Sequence, residues 1–214
     1  MWIDDPELLN RLAQLPAACV IVTKQQRNKS TAHKLEQLEE FNERAGGLPT
    51  APFYELSEML PRVDGQPAVV GPSSPMGFRV PTIRTAGFRR TTNHNALPPI
   101  VHAKLVLLGH MWWHDEDDFG SGDYVGFRPK RLWISSANFT SSSRRSLEFG
   151  VWTEDQVLLD AVRRFLLELV GHSEGLDPDP DHLDPELGPV AFDDIAMAEA
   201  WAESRADDQY DEDV

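Results

Sequence analysis

Apolar residues recur along this chain with two different periods, and the switches between them mark out its elements. PELLNRLAQL, residues 6–15, has apolar positions at helical spacing and predicts a short helix. AACVIVT, 17–23, is apolar and β-branched and predicts a buried strand. STAHKLEQLEEFNER, 30–44, predicts a helix with Ser30 as N-cap, stopped by Gly46 and Gly47. Residues 48–100 hold 9 of the 16 prolines and have no long period. They predict loops with short strands around AVV (68–70) and TIRTAGF (82–88). The pattern then sharpens: IVHAKLVLLG (100–109), RLWISSANF (131–139) and LEFGVWT (147–153) each predict a strand. HMWWHDEDDFGSGDYVGFRP, between the first two, predicts an inserted hairpin or loop turning at GSGD. Thr153 and Gln156 fit a capping box. The helix they would open has apolar residues at 158, 161, 162, 165, 166 and 169, an amphipathic face turned to a core. Strands mixed with helices predict an α/β layered domain.

Composition divides the chain. The net charge is -15, which taken whole argues against a nucleic-acid or anionic-membrane partner. Residues 173–214, however, carry one basic side chain against 15 acidic ones. The first 172 residues are therefore nearly neutral. EGLDPDPDHLDPELGP is rich in Asp and Pro, so a boundary is expected near Glu174. The expected layout is a catalytic domain over 1–172 and an acidic extension over 173–214. That extension has a short helix over 193–204, capped by Asp193 or Asp194, and a disordered end at RADDQYDEDV. By charge alone, deleting residues 176–214 should raise affinity for nucleic acid and steepen its salt dependence. Cys19 is the only cysteine, which excludes disulfide stapling and fits a core residue of a reducing compartment. No apolar run reaches membrane-span length, and MWIDDPELL does not read as a signal peptide; a cytoplasmic protein is expected.

Three polar sets interrupt the apolar strands. His102 and Lys104, two apart, share a strand face, as do Ser136 and Asn138 on the next strand. If the strands pair, an imidazole, an ammonium, a hydroxyl and an amide converge, and Glu148 could accept from the other imidazole nitrogen. Burying such groups without a purpose is costly. HAK at 102–104, SSAN at 135–138 and SLE at 146–148 resemble the signature of the phospholipase D-like superfamily, H-x-K, then G-S-x-N, then N-x-E. Gly109 stands where many members have Asp, Ser135 replaces Gly, and Ser146 replaces the first Asn. The clear resemblance covers residues 98–172.

The resemblance implies a phospholipase D-like mixed sheet flanked by helices, with one catalytic half per chain. It implies phosphodiester cleavage without metal or cofactor, through a covalent phosphohistidine on His102. Lys104, Ser136 and Asn138 would stabilise charge on the phosphoryl oxygens, and Glu148 would orient His102. A second histidine would serve as acid and base. His33–Lys34 supplies no second H-x-K, so a homodimer with the site on its two-fold axis is expected. Single-motif members resemble nucleases of DNA or RNA, including restriction and phage-defence enzymes. Arg89, Arg90, Arg144 and Arg145 are the expected substrate contacts, within the wider clusters 79–90, 128–131 and 144–145. A phospholipid hydrolase or transferase of the same fold, and a non-catalytic module in a larger complex, are the alternatives. His110, His114, Asp115 and Asp117 invite a metal reading, but the segment is not helical in pattern and the chain has one Cys, so no metal is expected. Trp112 and Trp113 read as a packed hairpin ahead of a base-stacking platform.

Overall fold

A computed structural model of the chain describes residues 3–24, 31–73, 78–88, 101–114, 124–176 and 184–211. Helix α1 (Pro6–Ala13) starts where Asp5 accepts hydrogen bonds from the backbone N–H of Glu7 and Leu8, with Pro6 in the first turn. Strand β1 (Val20–Lys24) follows, then α2 (Ala32–Arg44), whose N-cap position is Thr31; Ser30, the expected cap, lies outside the described residues. The proline-rich stretch is more structured than its composition suggests. It holds β2 (Leu48–Pro49), a single helical turn α3 (Tyr54–Ser57), β3 (Met59–Pro61), β4 (Val69–Val70), β5 (Arg79–Val80) and β6 (Ile83–Phe88). Gly47 has φ 67°, and a Cβ there would collide with the carbonyl oxygen of Val80, so glycine is required where β2 meets β5.

Strands β7 (Leu105–His114) and β8 (Tyr124–Ser135) form a long antiparallel hairpin, joined by β9 (Gly150–Thr153). HMWWH and YVGFRP thus form the two arms of a hairpin, one of the two alternatives expected, while the GSGD turn lies outside the described residues. Helix α4 (Gln156–Gly171) is capped by Asp155, which accepts from Leu158 N at 2.8 Å. The expected capping box does not form: Thr153 Oγ1 accepts from Asp155 N, and the Gln156 amide donates to Asp160. The buried face of α4 is also rotated from expectation. Leu159, Leu167 and Val170 are buried, whereas Leu158 and Phe165 are exposed. Strands β10 (Leu187–Pro189) and β11 (Ala191–Phe192) precede α5 (Asp194–Asp211), capped by Asp193. This last helix runs well past the short 193–204 segment expected.

The architecture is mixed α/β with small sheets and, among the described residues, five helices. Among the described residues the strands divide into several small sheets. β1 pairs in parallel with β6, and β7–β8–β9 form a separate antiparallel sheet. The two meet where Thr23 Oγ1 donates to the carbonyl of Val101 at 2.9 Å. Parallel strands are normally covered on both faces, and β1 obeys this. Val22 and Ile83 pack with Leu38 and Phe41 of α2 on one side. Ile21 and Ala86 pack with Leu167 and Val170 of α4 on the other. Asn42 clips α2 to β6 by accepting from Ile83 N at 2.7 Å and donating to Ile83 O at 3.2 Å. Cys19 packs against the α4 side of this core, and burial pushes its thiol up to about 12.

The expected boundary near Glu174 falls inside packed structure. Ser173 and Glu174 are buried, Glu174 pairs with Lys24, and Thr85 and Glu174 exchange backbone hydrogen bonds. β10 pairs with β3 and β11 with β4. The described parts of the acidic segment, 173–176 and 184–192, are therefore part of the body, and Glu174 and Glu186 neutralise Lys24 and Arg84 on the central strands. No helix among the described residues is long and apolar enough to cross a membrane.

Candidate active site

The antiparallel register decides what meets. Leu105 at the start of β7 faces Ile134 near the end of β8, and Ser135 faces Gly150 at the start of β9. The amino end of β7, the carboxyl end of β8 and the amino end of β9 therefore lie together. HAK directly precedes β7, SAN directly follows β8, and SLE directly precedes β9. The backbone ladder continues into these segments: Ser135 N donates to Lys104 O at 2.9 Å, and Ser136 N donates to Phe149 O at 3.1 Å. All three sets converge at one end of one sheet, at loop positions beyond the strand ends and not on the strand faces expected.

His102, Ser136 and Glu148 are exposed, and Lys104 and Asn138 are half-buried. Lys104 Nζ lies 3.1 Å from His102 Nε2 and donates to the His102 carbonyl, also at 3.1 Å. An ammonium has only protons to offer, so this contact requires a lone pair on Nε2. Ser136 Oγ donates to Glu148 Oε2 and accepts from Phe149 N at 3.2 Å. Glu148 thus grips Ser136 rather than the imidazole. The sheet order explains this: β8 is the middle strand, so the segment carrying Ser136 lies between the Glu148 segment and the His102 segment.

Two contacts outside the signature hold this end together. Ser135 Oγ donates to Phe149 O and accepts from Ala137 N, closing a local turn that positions Ala137 and Asn138. The backbone N–H groups of Asp4 and Asp5 donate to the carbonyl of Phe139, tying the amino-terminal segment to the residue after Asn138. The Asp5-Pro6 helix start was visible in the sequence, but its role as a brace for this loop was not.

The arginines separate into distinct groups. Arg144, in a 3₁₀ turn over Ser143–Arg145, makes a bidentate pair with Asp5, at 2.5 and 2.7 Å, and reaches Glu7 at 2.9 Å. The Arg144 guanidinium holds the Asp5 carboxyl below the usual carboxylate range, ahead of the opposing effect of its burial. The expected substrate contact at Arg144 is in this structure a brace between the loop and α1. Arg145 is exposed and lines a cleft of about 380 Å³ with His33, Lys34, Gln37 and Ser142. Arg84, counted by sequence among surface cations, is fully buried and bonds Glu186, Ser173 Oγ and Ser173 O. Arg79 donates to Gly46 O. Arg89 and Arg90 lie outside the described residues, as do Asp115 and Asp117. His110 and His114 sit on β7 opposite Arg128 and Tyr124, on a strand and not on a helix.

Comparison with protein-family models, with curated proteins and with solved structures returned no match for this chain.

Proposed function

We propose that the chain is one half of a phospholipase D-like phosphodiesterase acting on DNA or RNA, working as a homodimer. The observation that carries this reading is the meeting of His102–Lys104, Ser136–Asn138 and Glu148 at a single sheet end. His102 Nε2 attacks phosphorus, forming a covalent phosphohistidine as the phosphodiester's leaving oxygen departs. An imidazole from the second copy donates a proton to that oxygen. It then takes a proton from water, whose oxygen displaces His102 and releases a phosphomonoester. Lys104 and Asn138 offer donors to the non-bridging oxygens. Ser136, gripped by Glu148, positions the turn between them.

The second copy has a surface to use. Leu147, Phe149 and Val151 alternate along the segment entering β9 and are all exposed beside the site, as are Val157, Leu158 and Phe165 on α4. Exposed apolar surface of this kind marks association sites.

The test is cleavage of single- and double-stranded DNA and of RNA in EDTA, by the parent chain and by His102→Ala. Cleavage by the parent, a loss of about 10³-fold or more in the variant, and an acid-labile phosphoryl group on His102 are expected. Turnover of phosphatidylcholine alone would replace nucleic acid with lipid. Absence of turnover and of trapped phosphoryl group on every substrate would leave a binding module. A strict monomer by sedimentation at micromolar concentration would remove the shared site.

A further inference from the structure

Among the described residues no helix lies over the face of the β7–β8–β9 sheet turned away from α4, and that face is not simply apolar. Strand alternation puts Val106, Leu108, His110 and Trp112 of β7 on this face, opposite Trp133, Arg131, Arg128 and Gly126 of β8. Trp152 of β9 lies beside Trp133, with ring centroids 5.1 Å apart. Trp112 spreads across Gly126 and Trp133 across Gly150, and neither glycine has room for a Cβ beneath its indole. These rings are therefore held flat by the strand opposite. Trp112 and Trp152 remain 41% and 47% exposed. The Arg131 guanidinium lies 5.3 Å from the Trp152 ring centre and pairs with Glu154. Arg128 is exposed opposite His110 on the same face, and Lys130 is exposed at the register shift between Pro129 and Arg131.

We infer that this face binds a single-stranded nucleic acid, its bases stacking on Trp112 and Trp152 and its phosphates meeting Arg128, Lys130 and Arg131. Immobilised open rings flanked by cations suit bases and a phosphate chain. The core of a protein–protein interface, by contrast, is depleted of charge. From Ser135 to Gly126 the face runs roughly 30 Å, within the span of the ~4–16 nucleotides such surfaces cover. It ends at Ser135, beside His102–Lys104 and Ser136, so a strand lying along it delivers its backbone to the candidate active site. The inference rests on the phosphodiesterase reading of that site and narrows its substrate to single strands.

The test is fluorescence anisotropy with a labelled oligothymidylate of about 12 nucleotides and a duplex of the same length. The protein is the full chain carrying His102→Ala in EDTA, so binding is read without turnover. Tighter binding of the single strand, with quenching of tryptophan emission, is expected. Adding Trp112→Ala and Trp152→Ala should weaken single-strand binding by roughly tenfold or more and leave duplex binding little changed. Trp152→Phe, which keeps a ring, should retain most of the affinity, and this separates stacking from any loss of fold. Unchanged affinity in a cooperatively folded double alanine variant would overturn the inference. So would conversion of a dimer to a monomer by the same changes with oligonucleotide affinity intact, because a second copy would then cover the face. An oligonucleotide bound through the tryptophans by a parent chain that cleaves nothing would defeat the phosphodiesterase reading and leave the binding face standing.

Discussion

Lys24 on β1 and Arg131 on β8 are both cations on strands, and the molecule treats them in opposite ways. Lys24 has a side chain 1% exposed and pairs with Glu174, 6% exposed, while Arg131 is 55% exposed and pairs with the equally open Glu154. The same division runs through the two regions. The β1–β6 pair lies under helices on both faces, and its buried Lys24 and Arg84 are matched by Glu174, Ser173 and Glu186 from beyond α4. Among the described residues no helix covers the second face of the β7–β8–β9 sheet, and Arg128, Arg131, Trp112 and Trp152 are exposed there. A buried charge must have its counterion in place before the strand can be buried at all. An exposed one is free to meet a ligand. The lesson is that, among the described residues of these two regions, cations are buried with counterions in the first and exposed in the second, although sequence alone groups Arg84 with the rest.

Glu174→Ala is the largest single break of this contrast. It leaves Lys24 buried without its partner and should cost about 3–5 kcal/mol, read from urea unfolding. Replacing both residues with apolar ones of similar size, Lys24→Met with Glu174→Leu, should recover most of that loss. A cost below about 1 kcal/mol for Glu174→Ala would make the two regions alike. The same logic revises the expectation for the acidic segment. Deleting residues 176–214 removes Glu186, β10 and β11 and should abolish the cooperative transition, whereas deleting 194–214 should leave it. Any effect of the tail's charge on nucleic-acid affinity is therefore to be sought with the shorter deletion.

Asp5 sits between the extremes, buried itself but paired with an exposed arginine. Asp5→Ala removes the α1 cap and should cost about 1 kcal/mol from that source, while Asp5→Asn keeps a capping oxygen and loses the charge. Because the folded carboxyl titrates below its unfolded value, its contribution is complete above about pH 4 and is lost as pH falls through the folded value. The stability gap between the parent and Asp5→Asn should accordingly be wide at pH 6 and narrow toward pH 3 in urea titrations. An equal gap at both would show that Arg144 does not hold Asp5 in solution.

Arg131→Ala should have the smallest effect on stability, within about 1 kcal/mol, since exposed pairs contribute little. Its effect belongs instead to ligand binding on the open face. Cys19 offers a further check on the covered region. Burial pushes this partly buried thiol up to about 12, so the folded chain should react with a disulfide reagent at pH 8 far more slowly than the unfolded chain, and equally rapid labelling of both would show that the α4 side of the core is open.

Much of the fold was legible from local pattern. The short helix after Asp5, the β-branched run at Val20–Thr23, the helix ending near Gly46, the TIRTAGF strand and the order of β7, β8 and β9 all follow from periodicity and punctuation. So did the identity of His102, Lys104, Ser136, Asn138 and Glu148 as an ordered polar set. What local pattern could not give was partnership. Arg84 and Glu186 are 102 residues apart, and Arg144 and Asp5 139. Alternation treats a strand arginine as a surface residue unless its counterion is known. The face of α4 was misjudged for the same reason: its apolar residues extend around more than one side, and only tertiary packing, which sets Leu167 and Val170 against Ile21 and Ala86, selects the buried face.

The sequence by itself thus determined which polar residues interrupt the apolar strands and in what order the elements run, because helical and strand periods and turn residues act over a few neighbours. The tertiary structure alone decided that HAK, SAN and SLE share one sheet end, that Glu148 grips Ser136, that the acidic segment neutralises the core and that three tryptophans line an open face. Each of these depends on strand register or on a counterion brought from far along the chain, and burial and pairing are settled only when those distant segments meet.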